Sequence, residues 1–260
     1  MKAIIVAAGI GSRLGELTKH TPKSLIDVNG QSILERQISI FKKLGIFDIT
    51  VIIGPYTEKF TFKNISFIQD KNYLEHDILS SLMLARTIMY DDIIVAYGDV
   101  IFDEHILQPL INFKDLIGLC VDLNWEKNYD GRKQELKREA TTVQIKNNMC
   151  TKIVDGRELT KSKIKDDSKP SEHKKQELGE FVGLMRLSKH GSMIFIKRYE
   201  ELINTHIGSF HEAPSISQAY FTDMLQELID NDIEILPIPV LGKWCEIDTI
   251  EDLKRAEDMF

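Results

Sequence analysis

Residues 2–8, KAIIVAA, form a short continuous apolar run that stops at Gly9. A one-sided strand would alternate polar and apolar residues, and a helix would need a longer stretch, so this run reads as a strand buried on both faces. Such a strand needs helices above and below it, which points to an α/β sheet. The next hundred residues continue the theme. Residues 31–44 (QSILERQISIFKKL) put Ile33, Leu34, Ile38, Phe41 and Leu44 on one helical stripe, ended by Gly45. Residues 48–53 (DITVII) are a second strand closed by Gly54-Pro55, and residues 64–68 a third. Residues 77–88 read as a helix with Asp77 at its N-cap, and residues 92–97 (DIIVAY) as a central strand followed by Gly98-Asp99. Strands alternating with helices predict a Rossmann-like, mixed, mostly parallel sheet with helices on both faces. Ligands of such sheets bind beyond the carboxyl ends of the strands. Gly9 to Leu14 and Gly98-Asp99 both fall at that edge.

The second half reads differently. Residues 118–123 and 140–145 are expected strands, and residues 156–179, rich in Lys, Asp, Ser and Glu, an expected solvated loop or mobile insertion. Residues 180–187 (EFVGLMRL) return to the sheet, residues 190–204 and 217–231 look helical, residues 233–238 form a strand, and residues 250–259 a closing amphipathic helix. No repeat or linker divides the chain, so its 260 residues are expected to form one large α/β domain.

Charge and cysteine content narrow the partners. A net charge of −7 disfavours general affinity for nucleic-acid backbone or anionic membrane. No apolar run approaches the length of a membrane span, and the first apolar run is too short for a signal peptide. The three cysteines, Cys120, Cys150 and Cys245, lie far apart with no metal-ligand spacing. The expectation is a cytoplasmic protein with reduced cysteines and no membrane insertion.

The glycine loop, Ala7-Ala8-Gly9-Ile10-Gly11-Ser12-Arg13-Leu14, is followed by Thr21-Pro22-Lys23. A triphosphate needs free backbone N–H groups, which glycines allow to turn and approach closely. Arg13 has the planar fork for two phosphate oxygens, and Lys23 is a compact charge for the α-phosphate. The plainer alternative is an ordinary strand-to-helix turn. The third glycine of a dinucleotide fingerprint is missing, and no Walker lysine follows.

The longer string AAGIGSRLGELTKHTPKSLIDVNG resembles the signature of the nucleoside-diphosphate-sugar pyrophosphorylase superfamily of nucleotidyltransferases. That resemblance implies that Ala7, Ala8 and Gly9 lie near base and ribose, that Gly11, Ser12 and Arg13 wrap the β- and γ-phosphates, and that Lys23 contacts the reacting phosphates. Glu16 stands where many sugar-nucleotide members have proline, which favours another branch. The segment HDILSSLMLA, the stretches VDLNWEKNYDGR and GEFVGLMRLS, and the closing GKWCEIDTIEDLKRAE resemble the small bacterial choline-phosphate cytidylyltransferases and the phosphonate cytidylyltransferases. Ser81 and Gly98 join the expected nucleotide contacts, although His76 and Asp77 replace the amides usual before the Ser-Leu pair.

Mg²⁺ prefers a few carboxylates together with phosphate oxygens and water. Asp99 ends a buried strand, and Asp248 lies near the carboxyl terminus. Read alone, the first is a common turn residue and the second a candidate cap for the last helix, a task Thr249 could equally take. The resemblance implies that both hold Mg²⁺. Glu246 would point the same way as Asp248 on an extended segment and is the second-choice ligand.

Trp125, Tyr129, Arg132 and Glu180 are the candidate acceptor contacts. An ammonium would sit well over an aromatic ring. The alternatives are that Trp125 and Tyr129 merely pack at i, i+4 and that Glu180 is an exposed strand end. The expectation is therefore an enzyme in which residues 1–117 bind nucleotide and residues 118–260 bind acceptor. Lys23, Arg13, Asp99 and Asp248 would carry transfer of CMP from CTP to a small phosphorylated or phosphonate acceptor, with Mg²⁺ and release of pyrophosphate. Two alternatives stay open: a sugar-1-phosphate nucleotidyltransferase using UTP, dTTP or GTP, and a non-catalytic nucleotide-sensing subunit.

Overall fold

The computed structural model describes residues 1–129, 137, 140–154 and 177–260. Strand β1 (Lys2–Ala7) is followed by a glycine loop and two short strands, β2 (Asp27–Val28) and β3 (Gln31–Ser32). Helix α1 (Ile33–Lys43) starts on a reciprocal cap in which Ser32 Oγ accepts from the Glu35 amide while the Glu35 carboxylate accepts from the Ser32 amide. Gly45 ends it at a φ of +83°. Then come β4 (Ile49–Ile53), β5 (Ser66–Gln69), α2 (Ile78–Met83), β6 (Ile93–Tyr97), β7 (Val100–Phe102) and α3 (Glu104–Asn112). The second half carries β8 (Ile117–Asp122), β9 (Thr142–Lys146), β10 (Met149–Val154), β11 (Glu177–Leu187), α4 (Lys189–Thr205), α5 (Phe221–Asp230), β12 (Ile235–Pro239), β13 (Trp244–Glu246) and α6 (Ile250–Met259).

The main sheet runs β10-β9-β11-β6-β1-β4-β5, with β8 paired to β11 and β12 to β8. Strands β5, β4, β1 and β6 are mutually parallel. Strand β11 is antiparallel to β6, β8 and β9, and β10 is antiparallel to β9. Among the described main-sheet strands only β11 and β10 therefore run against the rest, which makes the sheet mixed and mostly parallel, as expected. Alternate residues of β1 enter opposite cores. Ile4 and Val6 pack with Leu79, Leu82 and Met224, whereas Ala3, Ile5 and Ala7 pack with Leu34, Ile38 and Phe41.

Several boundaries differ from expectation. The third strand begins two residues late, at Ser66. The helix expected over 77–88 stops at Met83, and a separate 3-10 turn follows at Arg86–Ile88. Asp77 takes the N-cap position but its side chain makes no cap hydrogen bond. Glu177, Leu178 and Gly179 belong to β11 rather than to the charged insertion, whose residues 156–176 lie outside the described ones. Helix α3 was not anticipated: Pro109 sits inside it, a residue that reads as a helix breaker. No helix among the described residues is long and apolar enough to cross a membrane.

Candidate active site at the carboxyl edge of the sheet

The loop after β1 is shaped by close backbone approaches. A Cβ on Gly98 would lie 2.6 Å from Ala7 Cβ, and one on Gly54 would lie 2.4 Å from the Ala8 carbonyl oxygen. The neighbouring strand ends can thus close on β1 only as glycines, while Gly9 faces open space. Gly11 has a φ of +71°, and a Cβ there would meet the Lys23 stem at 2.9 Å. Thr18 donates from its hydroxyl to the Gly11 carbonyl at 2.8 Å and ties the loop shut. Ser12 and Arg13 open the following 3-10 turn and are exposed.

Lys23 runs beneath this loop and is 7% exposed. Its ammonium donates to Asp99 Oδ2 at 2.7 Å and to Asp248 Oδ1. Arg13 Nη2 donates to the other Asp248 oxygen at 2.6 Å. Burial alone would lower the Lys23 pKa, but Asp99, Asp248 and Glu246 outweigh it and hold the ammonium above the ordinary lysine value. Burial likewise opposes ionisation of Asp248, and Lys23 and then Arg13 overcome it, so that carboxyl lies below its ordinary value.

The distant aspartates meet through a two-stranded ladder. Strand β13 pairs antiparallel with β7 in the register Trp244 to Phe102, Cys245 to Ile101 and Glu246 to Val100, and the Ile247 amide donates to the Asp99 carbonyl at 3.0 Å. Ile247 is buried beneath the ladder, which turns Glu246 and Asp248 together to the opposite side. Thr249, not Asp248, caps α6, with Asp252 as its reciprocal partner. The Asp252 carboxylate also accepts from the Asp248 amide at 3.2 Å. Leu14, Ile26, Ile33, Ile101, Ile247 and Leu253 form a separate small core under this arrangement.

Carboxylate oxygens of Asp99, Glu246 and Asp248 all lie within 4.8 Å of one another. Asp99 Oδ1 is buried without a hydrogen-bond partner, a costly state that a cation would relieve. Lost hydration, then the charges of Asp248 and Asp99, push the Glu246 carboxyl well above its ordinary value. Glu246 is exposed as a residue, so the like charges are the part of that shift a bound cation would reverse. An all-oxygen donor set of this kind fits Mg²⁺.

Three of the four acceptor candidates come together. Trp125 and Tyr129 lie on a 3-10 turn, their rings edge to face at 5.8 Å. The i, i+4 packing weighed as the plainer alternative is therefore present, and the Tyr129 hydroxyl in addition donates to Glu180 Oε1. Glu180 is 3% exposed, not an exposed strand end, because β9 and β8 flank it on β11. Its charge also acts on Glu246, linking this wall to the carboxylate cluster. Lys137 places its ammonium 5.3 Å from the Trp125 ring centre, so that ring already faces a cation. Arg132 lies outside the described residues.

Ser81 is buried and donates to Asp70 Oδ2 at 2.6 Å, and His76 Nε2 lies 2.8 Å from the same oxygen. Sequence reasoning missed Asp70, which follows β5 and organises this wall. It also missed Gln37, whose only signal was a polar residue on the inner face of α1.

The chain is similar to several known proteins. Residues 3–116 match the MobA-like NTP transferase domain. The chain is 27% identical to the CTP:phosphoglutamine cytidylyltransferase of Campylobacter jejuni, over 98% of each chain. It is 37% identical to the 2-aminoethylphosphonate cytidylyltransferase of Lancefieldella rimae, over 41% of this chain and 46% of that one. The CTP:phosphocholine cytidylyltransferase of Streptococcus pneumoniae shares the fold, with a TM-score of 0.72 at 18% identity over 99% of this chain and 97% of that one.

Proposed function

We propose that this chain, whose residues 3–116 match the MobA-like NTP transferase domain, is a Mg²⁺-dependent cytidylyltransferase. It joins CMP from CTP to a small phosphorylated or phosphonate acceptor and releases pyrophosphate. The observation that carries the reading is the Lys23 ammonium, held between Asp99 and Asp248 beneath the glycine loop.

CTP lies along residues 7–13, with base and ribose toward Ala7, Ala8 and Gly9 and the outer phosphates on Gly11, Ser12 and Arg13. Gly98 makes room beside Ala7, and Ser81 supports the wall through Asp70. An acceptor oxygen attacks the α-phosphorus in line, and the pyrophosphate oxygen leaves. That acceptor oxygen is already anionic near neutral pH, so the step calls for positioning and charge neutralisation rather than a general base. Lys23 neutralises charge at the α-phosphate, and Arg13 steadies the pyrophosphate. Asp99 and Asp248, with Glu246, would hold Mg²⁺, which supplies further neutralisation of the phosphate oxygens when bound.

Residues 1–117 serve the nucleotide and residues 118–260 the acceptor. Glu180 and Tyr129 form a wall suited to an acceptor with a cationic or N–H-bearing nitrogen, the class of choline phosphate, 2-aminoethylphosphonate and phosphoglutamine. The three buried cysteines, none of them in a disulfide, suit a reducing, cytoplasmic setting.

The test is pyrophosphate release with each of four nucleoside triphosphates against those three acceptors and glucose 1-phosphate. The expected result is turnover with CTP and one nitrogen-bearing acceptor. Preferential turnover of UTP, dTTP or GTP with the sugar phosphate overturns the reading, as does release with no pairing.

A further inference from the structure

We propose that Gln37 is a positioning residue that fixes the Gly98-Asp99 turn and thereby aims the Asp99 carboxylate; the inference rests on the reading of Asp99 as a metal-holding group. Gln37 lies on the sheet-facing side of α1 and is 1% exposed. Its amide nitrogen donates to the Tyr97 carbonyl at 2.8 Å and to the Val100 carbonyl at 2.6 Å. Those two carbonyls bracket the Gly98-Asp99 pair, so one planar amide clamps both ends of the turn. Both contacts are acceptors, which fixes the orientation of the amide with its nitrogen toward the turn.

The other half of the same amide argues that the clamp is its purpose. Gln37 Oε1 is buried with no hydrogen-bond partner. An unpaired buried carbonyl is destabilising, and a methionine would fill the same volume without one. Good packing alone therefore does not account for glutamine at this position, whereas its two donated bonds to the Tyr97 and Val100 carbonyls do.

The remaining sides of the turn are held by backbone. The Gly98 amide donates to the Val6 carbonyl at 2.8 Å, and the Asp99 carbonyl accepts from Ile247 at 3.0 Å. With Gln37 removed, the Tyr97 and Val100 carbonyls lose the donor that ties them together, and the turn between them is held less tightly. Ligand groups need to be held within about half an ångström to work, so a shift of that size loosens the site.

The test compares the wild type with Gln37→Met, Asp99→Asn and, as a control, Ile38→Ala. Ile38 is a buried core residue of the same helix. Backbone hydrogen exchange at residues 98–100 and the Mn²⁺ dissociation constant, read by electron paramagnetic resonance, are measured on each folded protein. Gln37→Met should speed exchange at the turn roughly tenfold and raise the Mn²⁺ dissociation constant about 10- to 100-fold. Its turnover should recover as Mg²⁺ is raised, with the KM for CTP little changed. Ile38→Ala should lower the melting temperature and leave both turn readouts near wild type. Gln37→Asn keeps an amide on a shorter stem and should shift both readouts less, which covers the case in which the methionine variant does not fold. Wild-type exchange at 98–100 in the folded Gln37 variants overturns the inference, as does an equal metal effect from Ile38→Ala. An Asp99→Asn protein with unchanged Mn²⁺ affinity sinks the metal reading, and exchange alone then decides for or against the clamp.

Discussion

Lys23 and Gly11 form one unit at the scale of single residues. Taking an ammonium out of water costs several kcal/mol unless anions offset it, and here two aspartates do. Removing the cation therefore leaves the carboxylates facing one another. Lys23→Met should lose roughly 10²- to 10³-fold in turnover. The same variant should gain more melting temperature from Mg²⁺ than the wild type does, because its carboxylates have lost their resident counter-ion. Steady-state kinetics and melts with and without Mg²⁺ check both, and near-normal turnover would remove Lys23 from the mechanism. Gly11→Ala forces a side chain into left-handed backbone, at about 1–2 kcal/mol, and into the Lys23 stem. Its expected signature is a moderate fall in melting temperature with a larger fall in kcat/KM for CTP.

At the scale of elements, the site depends on how β13 ends and how α6 begins. Strand β13 delivers Glu246 and Asp248, and the reciprocal cap of α6 holds Asp248 through its amide. Asp252→Ala should cost about 1–2 kcal/mol as a lost cap and should also raise the Mg²⁺ concentration for half-maximal rate. Ser188→Ala removes the N-cap of α4, whose hydroxyl accepts from the Gly191 amide at 3.1 Å, and is the matched control. It should cost similar stability and leave the Mg²⁺ requirement unchanged. Urea titrations paired with Mg²⁺ titrations of rate separate the two effects. Elements as short as β7 and β13 show no hydrophobic period, which is why neither was legible in advance. Longer elements carry clearer signals, a continuous apolar run closed by glycine in β1 and β6 and a helical stripe in α1, and they were read nearly to the residue.

Across the whole molecule, ion pairs tie helices that are remote from the chemistry. Glu227 of α5 accepts from Arg198 of α4 at 3.0 Å and pairs with His211 at 2.9 Å. Burial opposes ionisation of Glu227, but Arg198 and then His211 overcome it, so its carboxyl lies below the ordinary value of 4.5. A depressed carboxylate adds stability above its unfolded pKa and loses it as pH falls through the folded one. The wild type should therefore be more stable than Glu227→Gln at pH 7, by on the order of 1 kcal/mol. The gap should close below about pH 4.5. Denaturation curves across that range test it, and a gap that persists in acid removes Glu227 as its source.

By itself the sequence determined the α/β class, the strand-to-loop edge at Gly9, and which charged side chains were candidates for the site, namely Arg13, Lys23, Asp99 and Asp248, the two aspartates through the family resemblance. Those are local properties: periodicity, glycine stops, and the chemistry each side chain carries. Tertiary structure decided which groups meet. Asp248 reaches Asp99 only through the β7–β13 register, Tyr129 reaches Glu180 only across the β8–β11 pairing, and Gln37 reaches the turn only because α1 packs under β6. The reason is that a one-residue slip in a strand pair turns every side chain to the other face, and no short segment records its own partner.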